Sequence, residues 1–155
     1  MNIYTVSLFG HREIESLREL ENRLVPIITE LLRTKIYVSF LIGRNGEFDE
    51  FAASVIKSVR KRLGFENCDL TLVLPYEVSG ISDYEKYYDG ILIPDMLYGI
   101  YPRAAITFRN RWMIERSDLI ITYVERAKGG AYTASKYAER LGKRVINLCN
   151  LSFDD

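Results

Sequence analysis

The sequence predicts an α/β fold, a Rossmann-like three-layer sandwich around a mostly parallel sheet of about five strands. Two observations lead to this fold class. Five short runs rich in β-branched and aromatic residues alternate with segments in which apolar residues recur every three or four positions. The runs are apolar almost throughout, which is typical of strands that helices cover on both faces. A length of 155 residues without a visible linker or repeat suits one domain over residues 1–155.

The first half of the chain contains three of the predicted strands. The first, NIYTVSLFG, ends at Gly10 and is followed by a helical apolar stripe over residues 14–31. Pro26 lies inside this stripe and should kink the helix or split it in two. After the second strand, KIYVSFLIG, a second helical stripe covers residues 51–63, and Gly64 can end that helix. The run DLTLVLP predicts the third strand.

The second half opens with a tyrosine-rich segment, residues 76–102. It holds six tyrosines, three glycines and two prolines, and we expect a short helix followed by an ordered loop. Such a segment suits either self-association, as in a homo-oligomer, or a lid over a ligand. Helical patterns then cover about residues 103–117 and 130–141, and the runs DLIITYV and KRVINLC predict the remaining strands.

Composition and charge limit the classes of function. Lysine plus arginine and aspartate plus glutamate each total 21, so the formal net charge is zero and the basic field that draws proteins onto phosphate backbones is missing. We therefore expect a small-molecule partner and no nucleic acid as main partner. Long apolar runs and signal-peptide features are not visible, which favours a cytoplasmic protein without a membrane partner. In that compartment we expect Cys68 and Cys149 to be two buried, reduced thiols.

Three loops after predicted strands carry most of the unusual residues. They are GHRE after the first strand, GRNGE after the second and RAKGGAYT after the fourth. In an open parallel sheet, ligands bind beyond the carboxyl ends of the strands, where helix N-termini offer free N–H groups. None of the loops matches a dinucleotide or Walker pattern. Their glycines, together with Arg12, Arg44 and Lys128, nevertheless suit a phosphorylated, nucleotide-like ligand.

Several residues near these loops have two interpretations. His11 either contacts a ligand or shuttles a proton, or it is a loop histidine bonded to backbone. Glu47, Asp49 and Glu50 open the second helix, where carboxylates stabilise the helix dipole by roughly 0.3–1 kcal/mol each. Glu47 alternatively accepts a sugar hydroxyl or acts as a general base. Because His11 is the only histidine, a metal site built on several imidazoles is excluded, and we predict no metal and no cofactor.

Four blocks of the sequence, taken together, resemble the Smf/DprA-LOG superfamily, and most closely its small single-domain members of unassigned activity. The blocks are GHRE, GRNGEFDEFA, FRNRWMIERSDLIITYV and KGGAYTASKYAERLGKRVINL, and the resemblance extends over nearly the whole chain. The resemblance implies a Rossmann-like fold that binds nucleotides or nucleotide-derived signals, such as an adenine nucleotide or an ADP-ribose-like molecule. In some relatives it implies cleavage of the N-glycosidic bond of a nucleotide.

The chain departs from the cleaving relatives, the cytokinin-activating phosphoribohydrolases. Those enzymes carry an arginine in an E-R-K-x-x-M block and a glutamate that closes a P-G-G-x-G-T-x-x-E block. Here Arg109 keeps the arginine, Asn110 replaces the lysine, and Lys136 stands where the glutamate is expected. The resemblance therefore supports binding, by a sensor or sequestering module, better than hydrolysis. The alternative is a nucleotide N-glycosidase in which Glu47 or Asp49 supplies the missing carboxylate.

The predicted ligand site combines the three loops with the block around Arg109. The candidate ligand-binding residues are Gly10, His11, Arg12, Gly43, Arg44, Asn45, Gly46, Glu47, Arg109, Asn110, Lys128, Gly129, Gly130, Ala131 and Thr133. If the protein is an enzyme, the candidate catalytic residues are Glu47, Asp49 and Arg109. The prediction requires the loops to converge along one rim of the sheet.

Overall fold

The computed structural model describes residues 2–44 and 46–150, and it confirms the three-layer α/β sandwich. Its strands are β1 (Ile3–Gly10), β2 (Tyr37–Ile42), β3 (Cys68–Val73), β4 (Gly90–Leu92), β5 (Leu119–Tyr123) and β6 (Arg144–Asn147). They form a sheet in the order β4-β3-β2-β1-β5-β6, and every neighbouring pair is parallel. The helices are α1 (Leu17–Thr34), α2 (Glu47–Leu63), α3 (Ile81–Tyr87), α4 (Pro102–Glu115) and α5 (Gly130–Arg140), with short 3-10 turns at Asp95–Leu97 and Leu148–Asn150.

Alternating side chains along the strands build an apolar core on each face of the sheet. Leu8 and Leu72 belong to the larger core, which α1 and α2 cover. Their neighbours Phe9 and Val73 belong to the smaller core, which α4 and α5 cover. This follows from the period of two in a strand, where successive side chains point to opposite faces. Burial on both faces is the physical reason for the nearly continuous apolar runs in the sequence.

Helix α1 continues through Pro26, which excludes the predicted split of the helix at this proline. Ser16 caps the helix, since its hydroxyl accepts the N–H of Glu19 at 3.3 Å, and the helix then continues to Thr34 with Pro26 inside it. Leu24 and Ile28, on either side of the proline, are both fully buried. Packing of both halves against the sheet therefore outweighs the missing hydrogen bond at the proline. At the end of α2, Gly64 adopts a φ of 72° and ends the helix as predicted.

The tyrosine-rich segment contains a strand that the sequence did not predict. Besides the expected short helix, α3, it forms β4, which extends the sheet from five strands to six at the edge next to β3. Asp89 fixes the start of β4, because its carboxylate accepts the Leu70 N–H at 2.7 Å and pairs with Arg60. A run of three residues is too short to show a strand period, and Pro94 follows it closely.

The two cysteines of the chain, Cys68 and Cys149, both lie within the described residues. Both are free thiols, and Cys68 is buried as predicted, whereas Cys149 is only partly buried. In the part of the chain that the structure describes, none of the helices combines the length and the apolar character that crossing a membrane requires.

Gly10 is the position where packing leaves the least room for a side chain. A Cβ there would lie 2.1 Å from Cγ of Phe48, whose side chain is fully buried. We expect Gly10→Ala to lower the free energy of unfolding by about 1–3 kcal/mol, because the ring must move within a packed core. Urea denaturation measures the change.

Gly130→Ala is the matched control for this substitution, since a Cβ on Gly130 meets no atom within 4 Å. Phe48→Leu in the Gly10→Ala background should recover part of the lost stability, because the two sites are in contact. An unchanged unfolding midpoint in Gly10→Ala would contradict the close packing.

Candidate functional site

The strand order reverses between β1 and β5, and the candidate site is centred there. From β1 the chain passes to α1 on one face of the sheet, and from β5 it passes to α5 on the other. The two loops therefore separate and leave a crevice beyond the carboxyl ends of the strands, where ligands bind in open α/β sheets. Gly10 pairs with Tyr123 in the register of these strands, so the loops begin side by side.

A cavity of about 600 Å³ occupies this crevice. Its wall is formed by Phe9, Gly10, His11, Arg12, Arg44, Gly46, Asp49, Pro75, Tyr76, Ile106, Arg109, Asn110, Arg126, Lys128, Gly129, Gly130 and Ala131. Among these described residues, five side chains are cationic and a single one, Asp49, is acidic. The wall thus concentrates positive charge in a chain whose formal net charge is zero.

The N-terminal end of α5 forms part of the cavity wall through Gly129, Gly130 and Ala131. Gly129 has a φ of 92°, a conformation that favours glycine. The first turn of α5 carries no acidic residue, so nothing there neutralises the partial positive charge of the helix end. Its first N–H groups lack acceptors within the helix. This end is suited to bind an anion, with Lys128 directly before it.

The start of α2 is tied to the loop between β1 and α1. The N–H of Glu47 donates to the carbonyl of Arg12 at 2.8 Å, and the Glu47 carboxylate accepts the N–H of Ile14 at 3.2 Å. A Cβ on Gly46 would lie 3.1 Å from the Cα of Arg12, so glycine allows this close approach. Glu47 therefore holds the loop in place and does not line the cavity.

Asp49 is the carboxylate that the cavity wall contains. Burial raises the pKa of Asp49 to about 7 against the opposing attraction of Arg109, with Glu50 adding to the rise and Arg12 opposing it. Its carboxylate forms no hydrogen bond or ion pair with another residue that the structure describes. The group therefore changes between acid and carboxylate near neutral pH.

Arg109 extends from α4 across the carboxyl ends of β2 and β3. Its Nη1 donates to the carbonyl of Val73 at 3.1 Å, and its Nε donates to Oδ1 of Asn110 at 3.0 Å. A Cβ on Gly43 would lie 3.0 Å from the same Nη1. Gly43 therefore makes room for the guanidinium group and is not itself part of the wall. Burial lowers the pKa of Arg109, and Asp49 opposes this change; the group remains a cation at ordinary pH.

His11 connects the two loops at the reversal of strand order. Its ring Nε2 accepts the backbone N–H of Glu125 at 3.0 Å, and the backbone N–H of His11 donates to the carbonyl of Tyr123. Burial lowers the pKa of His11, and Arg126 lowers it further, with Glu125 opposing. The neutral ring carries its proton on Nδ1, because Nε2 is the acceptor. No group of three or more His, Cys, Asp or Glu side chains within residues 2–44 and 46–150 is placed to hold a metal ion.

The structure brings most of the predicted site residues together. Those on the cavity wall are Gly10, His11, Arg12, Arg44, Gly46, Asp49, Arg109, Asn110, Lys128, Gly129, Gly130 and Ala131. Asn45 lies outside the described residues. Besides Gly43 and Glu47, Thr133 also lies off the wall, where its hydroxyl donates to the carbonyl of Gly129 at 3.1 Å.

Five residues of the wall were not predicted from the sequence. They are Phe9, Pro75, Tyr76, Ile106 and Arg126. Pro75 and Tyr76 follow β3 closely, and ligands bind beyond the carboxyl ends of such strands. The loop after β3 has no glycine beside the strand, which is why the sequence did not indicate it. Arg126 belongs to the quoted loop RAKGGAYT. Phe9 and Ile106 have the apolar pattern of core residues, and the sequence alone could not separate them from the core.

Comparison with known proteins gives a likeness of fold. The sequence matches no protein-family model, and no curated protein matches it. Two solved structures with similar folds are DNA processing protein A from Helicobacter pylori (TM-score 0.64, 17% identity) and from Streptococcus pneumoniae (TM-score 0.66, 15% identity). Each match covers 92% of this chain, which spans only 63% and 49% of those two chains. The fold is thus like that of DprA.

These comparisons correct the expectation of no nucleic acid as main partner, which is wrong. The Helicobacter pylori structure concerns the single-stranded DNA binding mode of a protein with a similar fold. The physical reason is that net charge describes the whole molecule and not its surface. Here five cations gather in one cavity although the net charge is zero, so the charge balance is no ground for excluding nucleic acid.

Asp49 gives the stability of the protein a predictable dependence on pH. Its folded-state pKa of about 7 lies above the ordinary value of 3.8, so the folded protein retains a proton that the unfolded chain releases. The stability from protonated Asp49 is complete below about pH 4 and is lost as the pH rises through about 7. We expect Asp49→Asn, which cannot ionise, to be more stable than the parent by about 1–3 kcal/mol at about pH 8.

Urea denaturation between about pH 5 and pH 8 measures this difference, which should shrink as the pH falls. Glu50→Gln is the matched control, because Glu50 is the exposed neighbour on the same helix and loses the same charge. If the free energies of unfolding of the parent and Asp49→Asn differed by the same amount at every pH in this range, the raised pKa of Asp49 would be contradicted.

Proposed function

We propose that the protein binds a phosphorylated nucleoside, either a free nucleotide or a nucleotide-derived signal, in the cavity at the carboxyl edge of the sheet. The observation that carries this proposal is the local charge. Five cationic side chains and the open end of α5 surround one cavity in a chain of zero net charge. Guanidinium groups and helix N-termini both recognise phosphate through directed N–H donors.

The size and the apolar part of the wall support a nucleoside in addition to the phosphate. A volume of about 600 Å³ lies in the usual range for small-molecule sites, roughly 300–1,000 Å³, and exceeds the need of inorganic phosphate. Phe9, Tyr76 and Ile106 add aromatic and aliphatic surface to the same wall. Aromatic rings offer a nucleobase a face on which to stack.

The proposal assigns binding, as a sensor or sequestering module, and not turnover. Lys136, which takes the place of the glutamate of the phosphoribohydrolases, is exposed on α5 and pairs with Glu139 at 3.1 Å. It does not line the cavity. A carboxylate for the sugar would have to come from another element.

Gly130 allows a direct test of the anion site. We expect Gly130→Glu to weaken the binding of adenosine monophosphate at least about tenfold, because a carboxylate at the start of α5 repels the phosphate. A Cβ there meets no atom within 4 Å, and an acid in the first turn stabilises a helix, so the variant should fold normally. Isothermal titration calorimetry with a nucleotide panel measures the affinities.

Two variants serve as controls in this titration. Gly130→Ala adds the Cβ without the charge and should bind like the parent. Arg62→Ala removes a cation from the last turn of α2, outside the cavity wall, and should also bind like the parent. If no nucleotide binds the parent at millimolar concentration, or if Gly130→Glu binds like the parent, the proposal fails.

Single-stranded DNA is the second candidate ligand, and the likeness of fold to the Helicobacter pylori protein favours it. Arg126 and Lys128 are exposed at the edge of the cavity. They could hold neighbouring phosphates of a strand while one nucleotide occupies the cavity. Both candidates use the same phosphate chemistry, and they differ in the effect of chain length.

If single-stranded DNA is the ligand, a labelled oligothymidylate should bind more tightly than thymidine monophosphate. Its affinity should fall with salt, with a slope in the log–log plot of about −0.7 per phosphate contact, and Lys128→Ala should reduce that slope by about 0.7. Fluorescence anisotropy at several salt concentrations measures both effects. An oligonucleotide that binds no better than the mononucleotide would exclude this candidate.

A further inference from the structure

The Asp49 carboxylate is the feature of the cavity that phosphate binding does not explain. The cations and the end of α5 attract an anion, whereas a carboxylate in the same wall repels it. It forms no hydrogen bond or ion pair with any other described residue, so it is not required to hold Arg109 or Arg12 in position. Its oxygen atoms therefore keep their capacity to accept hydrogen bonds from a ligand.

The position of Asp49 is fixed by the packing of the first turn of α2. Phe48 is fully buried and lies against Gly10, and Glu47 is bound to the preceding loop. These contacts set the rotation of the helix about its axis. Of the three acidic residues in this turn, Glu47 and Glu50 are exposed, whereas Asp49 lines the cavity. The carboxylate is thus held at the ligand site by the fold.

We infer that Asp49 is a specificity-determining residue that selects a ligand with sugar hydroxyls, and therefore a ribonucleotide over its deoxy forms. The inference rests on the proposed function. An ionised carboxylate only accepts hydrogen bonds, and the ribose hydroxyls are the donors that a ribonucleotide offers and a deoxynucleotide lacks. In dinucleotide-binding α/β folds, an acidic residue accepts a ribose hydroxyl. The flanking cations Arg12 and Arg109 offset the repulsion between this carboxylate and the phosphate.

Titration of Asp49 gives the selection a pH dependence. The charged or titratable groups that interact with it are Arg109 on α4, Arg12 in the loop before α1, Glu50 on its own helix and Tyr88 after α3. Burial raises its pKa to about 7. Hydrogen bonds to an ionised acceptor are stronger than those to a neutral one, so the preference for hydroxyls should increase as the pH rises through about 7.

The test compares adenosine monophosphate with its 2′-deoxy and 2′,3′-dideoxy forms by calorimetry. For the parent we expect the affinity to fall about tenfold or more between the first and the last of these ligands, since hydrogen bonds to charged groups are of that strength. The ratio should increase from about pH 6 to about pH 8. Titration of the phosphate itself cancels in the ratio, because all three ligands carry the same phosphate.

In Asp49→Ala the three affinities should become equal, whereas Glu50→Ala, the matched control, should keep the parent ratio. Equal affinities of the three ligands for the parent would overturn the inference, as would a ratio that persists in Asp49→Ala. If the nucleotide site itself does not exist, none of the three ligands binds, which is a different result from equal binding. The pH series on the parent requires no variant to fold.

Discussion

The reversal of strand order between β1 and β5 is the constraint on which the site depends. Because α1 and α5 leave these neighbouring strands for opposite faces of the sheet, their loops cannot pack on each other, and a crevice remains. At the base of this crevice, His11 joins the two loops through hydrogen bonds to the carbonyl of Tyr123 and from the N–H of Glu125. The bare Cα of Gly10 lets Phe48 pack beneath the crevice, and this sets how α2 enters the wall. The arrangement of this one pair of strands thus determines where the residues of the site lie.

The electrostatics of the protein are local. Equal numbers of acidic and basic residues give a net charge of zero, yet the carboxyl edge of the sheet gathers cations from four separate parts of the chain. The acidic residues of α2 show how this edge is kept positive: Glu47 is used to hold the β1–α1 loop, and Glu50 is exposed outside the wall. Asp49 alone remains in the wall, with a raised pKa that keeps part of its population neutral near pH 7. Such a wall suits a ligand that has both a phosphate and hydrogen-bond donors.

Much of this arrangement follows from the sequence, because strand and helix periods and the glycine-containing loops are local signals. The alternation of strands and helices predicts a parallel sheet, whose strands end at the same edge and so bring these loops together. Three features depend on tertiary packing, and the sequence could not supply them. Strand β4 exists because Asp89 anchors it next to β3, α1 continues through Pro26 because both of its halves are buried, and Asp49 rather than Glu47 meets the cavity because Phe48 fixes the rotation of α2.

A crystal structure of the protein with adenosine monophosphate tests the anion site most directly. We expect the phosphate within hydrogen-bond distance of the N–H groups of Gly130 and Ala131, close to Arg109 or Lys128, with the ribose next to Asp49. A nucleotide found on another surface of the molecule, with the cavity at the carboxyl edge empty, would contradict the central claim that the loops after β1, β2 and β5 form one phosphate-binding site.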